Sequence, residues 1–470
     1  MSTRIIGSIG FWMVLLNLSA GAAAATTPLR VTALDAYIAA VDPNYSYEIV
    51  RTIPGKGFRM HVLSMTSQKW LTEEEVDRPL WQHWLTLIQP DKVKHSKALL
   101  FVGGGKNGGD APAKPEPRLA QIALRTGSVV AALGMIPNQP LVFAGSQKGL
   151  SEDALIAYAW DKYLRSGEAK WLPRLPMTKS VVRAMDTLID FCGGEKGGGI
   201  ELDGFVVAGG SKRGWTTWTT ALVDPRVVAI IPMVIDMLNV EPSFQHHYQV
   251  YGFFAPAVRD YEAAGIMDWL NTAPFLALLR IVEPYEYRDR LVMPKFLINS
   301  TGDQFFVPDS SQFYFQDLPG PKFLRYVPNA DHSLKNSDAV ETILTCYDAI
   351  LNQAPLPRFD WDVKQDGTIR VRSQDAPATV KLWQASNANA RDFRLDVLGP
   401  AWKSIDLKPE ADGAYEARPP TPARGWTAFM VELTYPSSGS QPPFKFTTEV
   451  NVVPDKLPFK PFTPNQPNAL

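Results

Sequence analysis

The stretch "VVAGGSKRGW", residues 206–215, decides the fold of this chain. Three apolar residues run into a pair of glycines, and Ser211 follows before a segment with helical periodicity. A short apolar run without polar alternation is typical of a strand buried on both faces of a sheet. The glycines allow the backbone a sharp turn where this strand ends. The stretch therefore predicts a strand, a tight turn carrying Ser211, and a helix.

The same strand-and-helix pattern recurs between about residues 45 and 352. Three early runs alternate apolar and polar residues, which predicts antiparallel strands at 45–53, 58–67 and 83–90. Further apolar runs without alternation lie at 98–104, 128–135, 227–236, 295–302 and 322–329. Because helical segments separate most of these runs, they predict an open, mostly parallel α/β sheet with helices on both faces.

Two segments depart from this rhythm. Residues 237–290 are aromatic-rich, mostly helical in pattern and much longer than a usual connection between strands. A helical lid over a binding site and a packed helical decoration fit this insertion equally well. From 356 to 470, short alternating runs separated by turn residues predict an all-β, immunoglobulin-like sandwich with a Pro-rich tail. The α/β domain is accordingly expected to occupy residues 26–355.

The first 25 residues have the composition of a secretory signal peptide. Arg4 precedes a mostly apolar stretch at 5–18, and small residues follow where a signal peptidase would cleave. The apolar stretch is short for a membrane span. We therefore expect an exported protein, periplasmic or secreted, that keeps no membrane anchor after cleavage. Cys192 and Cys346 fall on helices predicted to cover opposite faces of the sheet, so we expect two free, buried thiols.

The overall charge argues against nucleic acid as a partner. The 470 residues include 47 basic and 48 acidic side chains, for a net charge of −1, whereas phosphate binding needs a surplus of Lys and Arg. The adjacent His246 and His247 are a poor metal site, and the sequence has no H-E-x-x-H or paired-cysteine motif. We expect no metal ion and no cofactor, and a small molecule or peptide as the substrate.

Ser211 is the first candidate catalytic residue. A serine on a sharp strand-to-helix turn needs small neighbours, which the G-x-S-x-G motif supplies. Here Gly209 stands on one side, but Arg213 takes the position of the second glycine and Gly214 comes one residue later. Arg213 can be accommodated if its side chain turns to solvent or over the helix start. The displaced glycine leaves two interpretations open, a catalytic serine or an ordinary polar residue on a distorted turn.

Two further residues could complete a catalytic triad with Ser211. Asp303 follows the predicted strand at 295–302, and His332 follows the predicted strand at 322–329. The chain order Ser, Asp, His is the order of the α/β-hydrolase fold, and all three residues fall where parallel sheets place their ligands. Asp236 also ends a strand and is the alternative acid, although we favour Asp303. Together these features predict an α/β-hydrolase fold with helical insertion.

Hydrolysis through an acyl-enzyme also needs backbone donors for the developing oxyanion. The amide after the nucleophile belongs to Lys212, and the glycine-rich loop "GGGKNGG" offers Gly104 and Gly105. The loop lacks the G-x-x-x-x-G-K-[ST] pattern of a phosphate-binding loop. The alternative interpretation of this loop is a plain turn.

Three long blocks resemble the PhoPQ-activated pathogenicity-related proteins: "GGSKRGWTTWTTALVDPRVVAIIPMVID" (209–236), the stretch 283–320 and "LRYVPNADHSL" (324–334). The resemblance extends over nearly the whole chain after the signal peptide, including "GWTAFMVELTYP" (425–436). The resemblance implies an exported protein with an α/β-hydrolase core. It also implies that Ser211, Asp303 and His332 correspond to the serine, aspartate and histidine positions of the family. It implies no particular substrate.

Two functional interpretations follow from the sequence. In the first, the protein is an exported serine hydrolase that cleaves an ester or short-peptide bond through Ser211, His332 and Asp303. In the second, it is a non-catalytic binding or signalling protein on a hydrolase scaffold, linked to bacterial virulence or stress response. The displaced glycine at Arg213 favours the second, and the intact order of Asp303 and His332 favours the first.

Overall fold

A computed structural model describes residues 31–437, 439 and 441–465, and the predicted signal peptide lies outside them. A large sheet with helices on both faces forms the main part of the molecule. Its strands are β1 (Ser46–Gly55), β2 (Phe58–Lys69), β3 (Leu80–Pro90), β4 (Lys97–Val102), β5 (Val130–Leu133), β6 (Gly204–Gly210), β7 (Val227–Met233), β8 (Lys295–Ser300) and β9 (Lys322–Val327). The helices are α1 (Ala33–Ala39), α2 (Pro117–Thr126), α3 (Glu152–Ser166), α4 (Arg174–Gly193), α5 (Lys212–Val223), α6 (Val240–Tyr251), α7 (Arg259–Ala263), α8 (Ala273–Val282) and α9 (Ala339–Leu351).

The strand order identifies the fold. Across the sheet the strands follow the order β1-β2-β3-β5-β4-β6-β7-β8-β9. The first four strands in this order, β1, β2, β3 and β5, pair antiparallel with their neighbours among the four. From β5 to the far end at β9, each strand pairs in parallel with the next. From β2 onward this is the α/β-hydrolase arrangement, in which only the second strand runs against the others. The predicted fold is confirmed, and each predicted strand of this sheet is present.

The sheet separates two hydrophobic cores. Along β6 the buried side chains of Phe205 and Val207 belong to one core, while Val206 and Ala208 belong to the other, as expected where successive side chains point to opposite faces. Helices α3, α4 and α5 cover the first face, and α2 and α9 cover the second.

The two cysteines lie in these separate cores. Cys192 on α4 belongs to the first core and Cys346 on α9 to the second, and both are free and buried, as predicted. Burial raises the pKa of the Cys192 thiol to about 12. Because the sheet lies between the two helices, the two thiols are not placed to form a disulfide.

The insertion at 237–290 forms a packed helical layer. It contains α6, α7 and α8, and α7 and α8 lie against α3. Phe275 and Leu278 of α8 are completely buried in the first core. The indole nitrogen of Trp215 on α5 donates a hydrogen bond to the carbonyl oxygen of Val282 over 2.6 Å. These contacts fix the insertion to the helix that follows Ser211.

The C-terminal region, as far as the structure describes it, is all β apart from one short helix, and it differs from the prediction in one respect. It contains β10 (Phe359–Val363), β11 (Ile369–Ser373), β12 (Thr379–Asn387), α10 (Leu395–Leu398), β13 (Lys403–Asp406), β14 (Tyr415–Ala417), β15 (Trp426–Tyr435), β16 (Phe444–Thr447) and β17 (Asn451–Val453). The small sheet β10-β11-β14 shares a hydrophobic core with β12 and β15. However, β16 pairs with β9, so the larger C-terminal sheet continues the central sheet instead of standing apart from it.

The Pro-rich tail returns to the insertion. The amide of Phe459 donates to the carbonyl oxygen of Gln249 over 3.1 Å. The side chain of Gln245 exchanges two hydrogen bonds with the backbone of Phe462, at 3.2 and 3.0 Å. The ring of Phe462 lies 5.0 Å from that of Phe254. The tail thus holds α6 against the rest of the molecule.

Within the described part of the chain, no helix combines the length and the apolar composition that crossing a bilayer requires.

Candidate active site

Ser211 occupies a sharp turn between β6 and α5. Its backbone has φ 55° and ψ −128°, a combination that non-glycine residues rarely adopt. The Ser211 amide donates to the carbonyl oxygen of Met233 over 2.8 Å, which ties the turn to the neighbouring strand β7. Strained backbone of this kind costs about 1–3 kcal/mol and is concentrated at functional sites. The conformation is that of the nucleophile elbow in serine hydrolases.

Gly209 and Gly214 explain how the turn tolerates a displaced glycine. A Cβ on Gly209 would lie 2.7 Å from the carbonyl oxygen of Arg213. A Cβ on Gly214 would lie 2.9 Å from Cγ2 of Ile235 and 3.0 Å from the carbonyl oxygen of Met233. The close approach of α5 to β6 and β7 is therefore made at positions 209 and 214, and position 213 is free to carry a side chain.

The Arg213 side chain does not turn to solvent, which was one of the two directions expected for it. It turns inward, with 12% of the side chain exposed, instead of reaching into solvent. Its guanidinium donates two hydrogen bonds to Glu152 at 2.9 and 2.6 Å, and Nε donates to the carbonyl oxygen of Ile136. A Cβ on Gly104 would lie 2.7 Å from Nη2 of Arg213. The guanidinium of Arg213 thus lies between the first turn of α3, to which it is hydrogen-bonded, and the glycine-rich loop after β4, against which it packs.

Glu152 is a central residue of this site that sequence reasoning missed. It also accepts from the nearly buried ammonium of Lys212 at 2.8 Å. Burial alone would raise the pKa of the Glu152 carboxyl, but Arg213 and Lys212 outweigh burial and lower it to about 2. The only sequence signal was an acidic residue in a first helical turn, which is ordinary for helices.

Gln139 links Glu152 to the glycine-rich loop. Its amide nitrogen donates to Glu152 over 2.5 Å and to the carbonyl oxygen of Gly105 over 3.1 Å. The backbone of the loop is held from the other side, since the amide of Met135 donates to the carbonyl oxygen of Gly104 over 2.8 Å. The helix start after Ser211 and the glycine-rich loop are therefore joined by one hydrogen-bonded network.

His332 and Asp303 form a close pair at the ends of neighbouring strands. Asp303 follows β8 and His332 follows β9, and Nδ1 of His332 lies 3.0 and 2.9 Å from the two carboxylate oxygens of Asp303. Asp303 is buried, and it also accepts from the amide of Phe305 over 2.7 Å. The ring of Phe305 lies 4.2 Å from the imidazole. Both the orientation and the position of the imidazole are thereby fixed.

Asp236, the alternative acid, lies in different surroundings. Its carboxylate accepts from the hydroxyl groups of Tyr314 and Tyr326 at 2.6 and 2.5 Å. Burial raises the pKa of Asp236 to about 7. Among the hydrogen bonds of the described residues, Asp303 and not Asp236 is the carboxylate that contacts His332.

Ser211 and His332 border one cavity of about 650 Å³. Gly104 also lines this cavity, whereas Gly105, the other predicted oxyanion donor of the loop, does not. Lys212 lines a second, narrow cavity of about 40 Å³, which Ser211 also borders. Val240, Phe244 and Tyr261 of the 237–290 insertion line this second cavity. The insertion therefore closes one side of Ser211, while the larger cavity opens on the other.

His246 and His247 do not converge on a common ligand. Nε2 of His246 lies 3.0 Å from Asp309, which also pairs with Arg391 at 2.6 Å. Burial lowers the pKa of His247 to about 3, and its Nε2 accepts from the amide of Ala255 over 2.9 Å. Among residues 31–437, 439 and 441–465, no group of three His, Cys, Asp or Glu side chains is placed to hold a metal ion.

Several known proteins are similar to this chain. The autocrine proliferation repressor protein A of Dictyostelium discoideum is 37% identical over 475 residues, which cover 95% of this chain and 94% of that protein. Acetyl xylan esterase 1 from Thermoanaerobacterium sp. JW/SL YS485 is similar in structure, with 16% identity and a TM-score of 0.44 over 64% of this chain and 88% of that chain. The acetyl xylan esterase from Paenibacillus sp. R4 has 13% identity and a TM-score of 0.46 over 68% of this chain and 92% of that chain.

A family model also matches most of the chain. The model of the PhoPQ-activated pathogenicity-related protein matches residues 34–394, a range that includes β1 to β9 and all three candidate catalytic residues. The resemblance noted in the sequence blocks is thereby confirmed. The chain belongs to the PhoPQ-activated pathogenicity-related protein family.

Proposed function

We propose that this protein is a serine hydrolase that cleaves a carboxylic ester or amide through an acyl-enzyme. Ser211 is the nucleophile, His332 the general base and acid, and Asp303 the residue that orients the imidazole. The observation that carries the proposal is the strained turn at Ser211 beside a cavity that it shares with the Asp303-bound His332.

The Asp303–His332 pair supports the role of the imidazole as a base. An ionised carboxylate can only accept hydrogen bonds, so the proton between Asp303 and His332 belongs to Nδ1 of the imidazole. In the neutral ring, Nε2 then carries the free lone pair. When Nε2 takes the hydroxyl proton of Ser211, the positive charge that forms on His332 is stabilised by Asp303.

The proposed reaction has two steps. Oγ of Ser211 bonds to the substrate carbonyl carbon and its proton passes to Nε2 of His332, which then protonates the leaving alcohol or amine as the carbon–heteroatom bond breaks. Water next attacks the acyl-enzyme, gives a proton to His332 and releases the acid, and Ser211 recovers its proton. The amides of Lys212 and Gly104 are the proposed donors to the oxyanion in both steps, and the amide of Lys212 lies at the positive N-terminal end of α5.

We further propose that the protein acts outside the bacterial cytoplasm, in the periplasm or after secretion, on a small-molecule or peptide substrate. The signal-peptide-like composition of residues 1–25 supports the location. The cavity of about 650 Å³ supports a small ligand, because binding sites for small molecules have volumes of about 300–1,000 Å³.

One observation favours a second candidate, a non-catalytic signalling protein on the same scaffold. The relative that is 37% identical over 95% of this chain is named as a repressor of proliferation. A signalling protein needs no activated serine, so the reactivity of Ser211 discriminates between the two candidates.

The deciding experiment is labelling with a fluorophosphonate probe, followed by peptide mass mapping. The proposal predicts label on Ser211 in the wild-type protein and none in Ser211→Ala or His332→Ala. The matched control is Ser333→Ala, because the exposed Ser333 lines the same cavity and its hydroxyl donates to Asp331. This control should label like wild type. Absence of label on folded wild-type protein would favour the signalling candidate.

A further inference from the structure

The larger cavity extends from Ser211 and His332 along the second face of the sheet, beneath α2 and α9. We propose that it binds an aliphatic chain, so that the substrate is an ester of a medium- or long-chain fatty acid. This inference rests on the proposed hydrolase function and names the substrate class of that same site.

The walls of the cavity are apolar. The floor is formed by side chains of three adjacent strands, including Ile88 of β3, Phe101 of β4 and Val130 of β5. The roof is formed by the two helices that cover this face, with Ile122 of α2 and Ile343 of α9. Ile88, Val130, Ile122 and Ile343 are all at least 95% buried and form the packed apolar back of the cavity, whereas Phe101, Leu119 and Leu334 are partly exposed and face its space. We call this apolar part of the cavity the apolar compartment.

The charged groups lie at the mouth of the cavity or are already paired. Lys114, Glu116 and Arg118 are exposed on the loop before α2 and on its first turn. Arg213 is bound by Glu152. A sugar or a peptide carries many hydrogen-bonding groups that each need a buried partner, and the apolar compartment offers very few. An alkyl chain needs none, which is why the lining favours an acyl chain.

The strand register locates a residue that can block the compartment without touching the catalytic groups. Ala132 of β5 lines the cavity and is the register partner of Phe101 on β4. Phe101 is in turn the register partner of Ala208 on β6. Ala132 therefore lies two strands away from the strand that carries Ser211, about 10 Å across the sheet. Ala132→Phe is expected to shorten the compartment and leave space next to Ser211.

The experiment is a chain-length series of p-nitrophenyl esters, from acetate to decanoate. Each methylene that enters the apolar compartment is expected to raise kcat/KM by up to about fourfold until the cavity is filled. Ala132→Phe is expected to lower the ratio of the octanoate value to the acetate value at least about tenfold. The matched control is Ala376→Phe, because Ala376 is exposed on a loop of the C-terminal region.

A second variant and a binding measurement protect the test against misfolding of Ala132→Phe. Ile343→Ala removes part of the roof and is expected to reduce the advantage of octanoate over acetate. Binding of cis-parinarate to the Ser211→Ala protein, followed by fluorescence, is expected to be displaced by decanoate and weakened by Ile343→Ala.

The outcomes separate the two proposals. A flat or falling chain-length profile in a protein whose Ser211 still takes the fluorophosphonate label would overturn the fatty-acyl inference and leave the hydrolase proposal standing. Absence of both label and ester hydrolysis would overturn both proposals. A rising profile that Ala132→Phe abolishes only for long chains would support the fatty-acyl inference.

Discussion

Replacing Glu152 with Gln removes the negative charge that two nearly buried cations share. Lys212 and Arg213 have only 6% and 12% of their side chains exposed, and both contact Glu152 within 2.9 Å. Gln has almost the same shape as Glu, so the substitution changes the charge and leaves the packing in place. After the substitution, Lys212 keeps Asp153 at 3.1 Å, but Arg213 loses the only carboxylate with which it forms an ion pair among the described residues.

The pKa of Glu152 sets the size of the expected effect. Its folded-state value is about 2, against an ordinary value of 4.5. Because 41% of the side chain is exposed, solvent screens the interaction, and we expect the loss in free energy of unfolding at pH 7 to be about 1–2 kcal/mol, below the full value of the shift. A carboxyl group with a lowered pKa stabilises the fold fully above about pH 4.5, and this stabilisation is lost as the pH falls through about 2. The difference between wild type and Glu152→Gln should therefore be constant near neutral pH and shrink in acid.

The same variant should also impair the proposed chemistry. Glu152 joins the start of α5 to the glycine-rich loop through Arg213 and Gln139. Small misplacements of catalytic groups are costly, so we expect the rate of fluorophosphonate labelling at Ser211 to fall by about tenfold or more.

Urea unfolding between pH 2 and pH 8, together with the labelling rate, measures both effects. The matched control is Glu73→Gln, which breaks the exposed Lys69–Glu73 pair of 2.8 Å, where the Glu73 side chain is 66% exposed. Solvent screens exposed pairs of this kind, so they contribute little to stability and this control should behave nearly like wild type. Equal stability of Glu152→Gln and wild type at pH 7, or a difference that persists undiminished at pH 2, would refute the reasoning.

Gly214→Ala should destabilise the protein by about 1–3 kcal/mol in urea titration, because its Cβ would press on backbone and side-chain atoms at 2.9–3.0 Å; unchanged stability would mean that α5 can move away from the sheet. Asp303→Asn should lower kcat/KM about 10³–10⁴-fold, whereas Asp236→Asn should change it less than about tenfold. Equal losses in these two variants would contradict the assigned roles. Cys192 and Cys346 should resist a thiol reagent in the native protein and react after unfolding in guanidinium, and rapid reaction of the native protein would contradict their burial.

The local structure around Ser211 was predictable because it depends on neighbours in sequence. A continuous apolar run, two glycines and a helical segment specify a buried strand, a sharp turn and a helix over 204–223. The same reasoning gave the other sheet strands and the two free thiols, since these depend on the periodicity of each segment and on the face that it covers.

The interactions of charged side chains could not be predicted, because their partners are distant in sequence. Glu152 precedes Arg213 by 61 positions, and only the packing of α3 against the turn brings them together. For the same reason the sequence left Asp303 and Asp236 as alternatives, and the tertiary structure puts Asp303 against His332 and surrounds Asp236 with tyrosines. The pairing of β16 with β9 is likewise a long-range contact with no local signature.

The sequence by itself therefore determined the fold class, the family resemblance and the order of the candidate catalytic residues, all of which are properties of short segments and their succession. Only the tertiary structure decided which carboxylate contacts the imidazole, where Arg213 points and which apolar side chains enclose the cavity beside Ser211. The physical reason is that hydrophobic periodicity and backbone preference act over a few residues, whereas ion pairs and cavities are formed by side chains that folding brings together from separate elements.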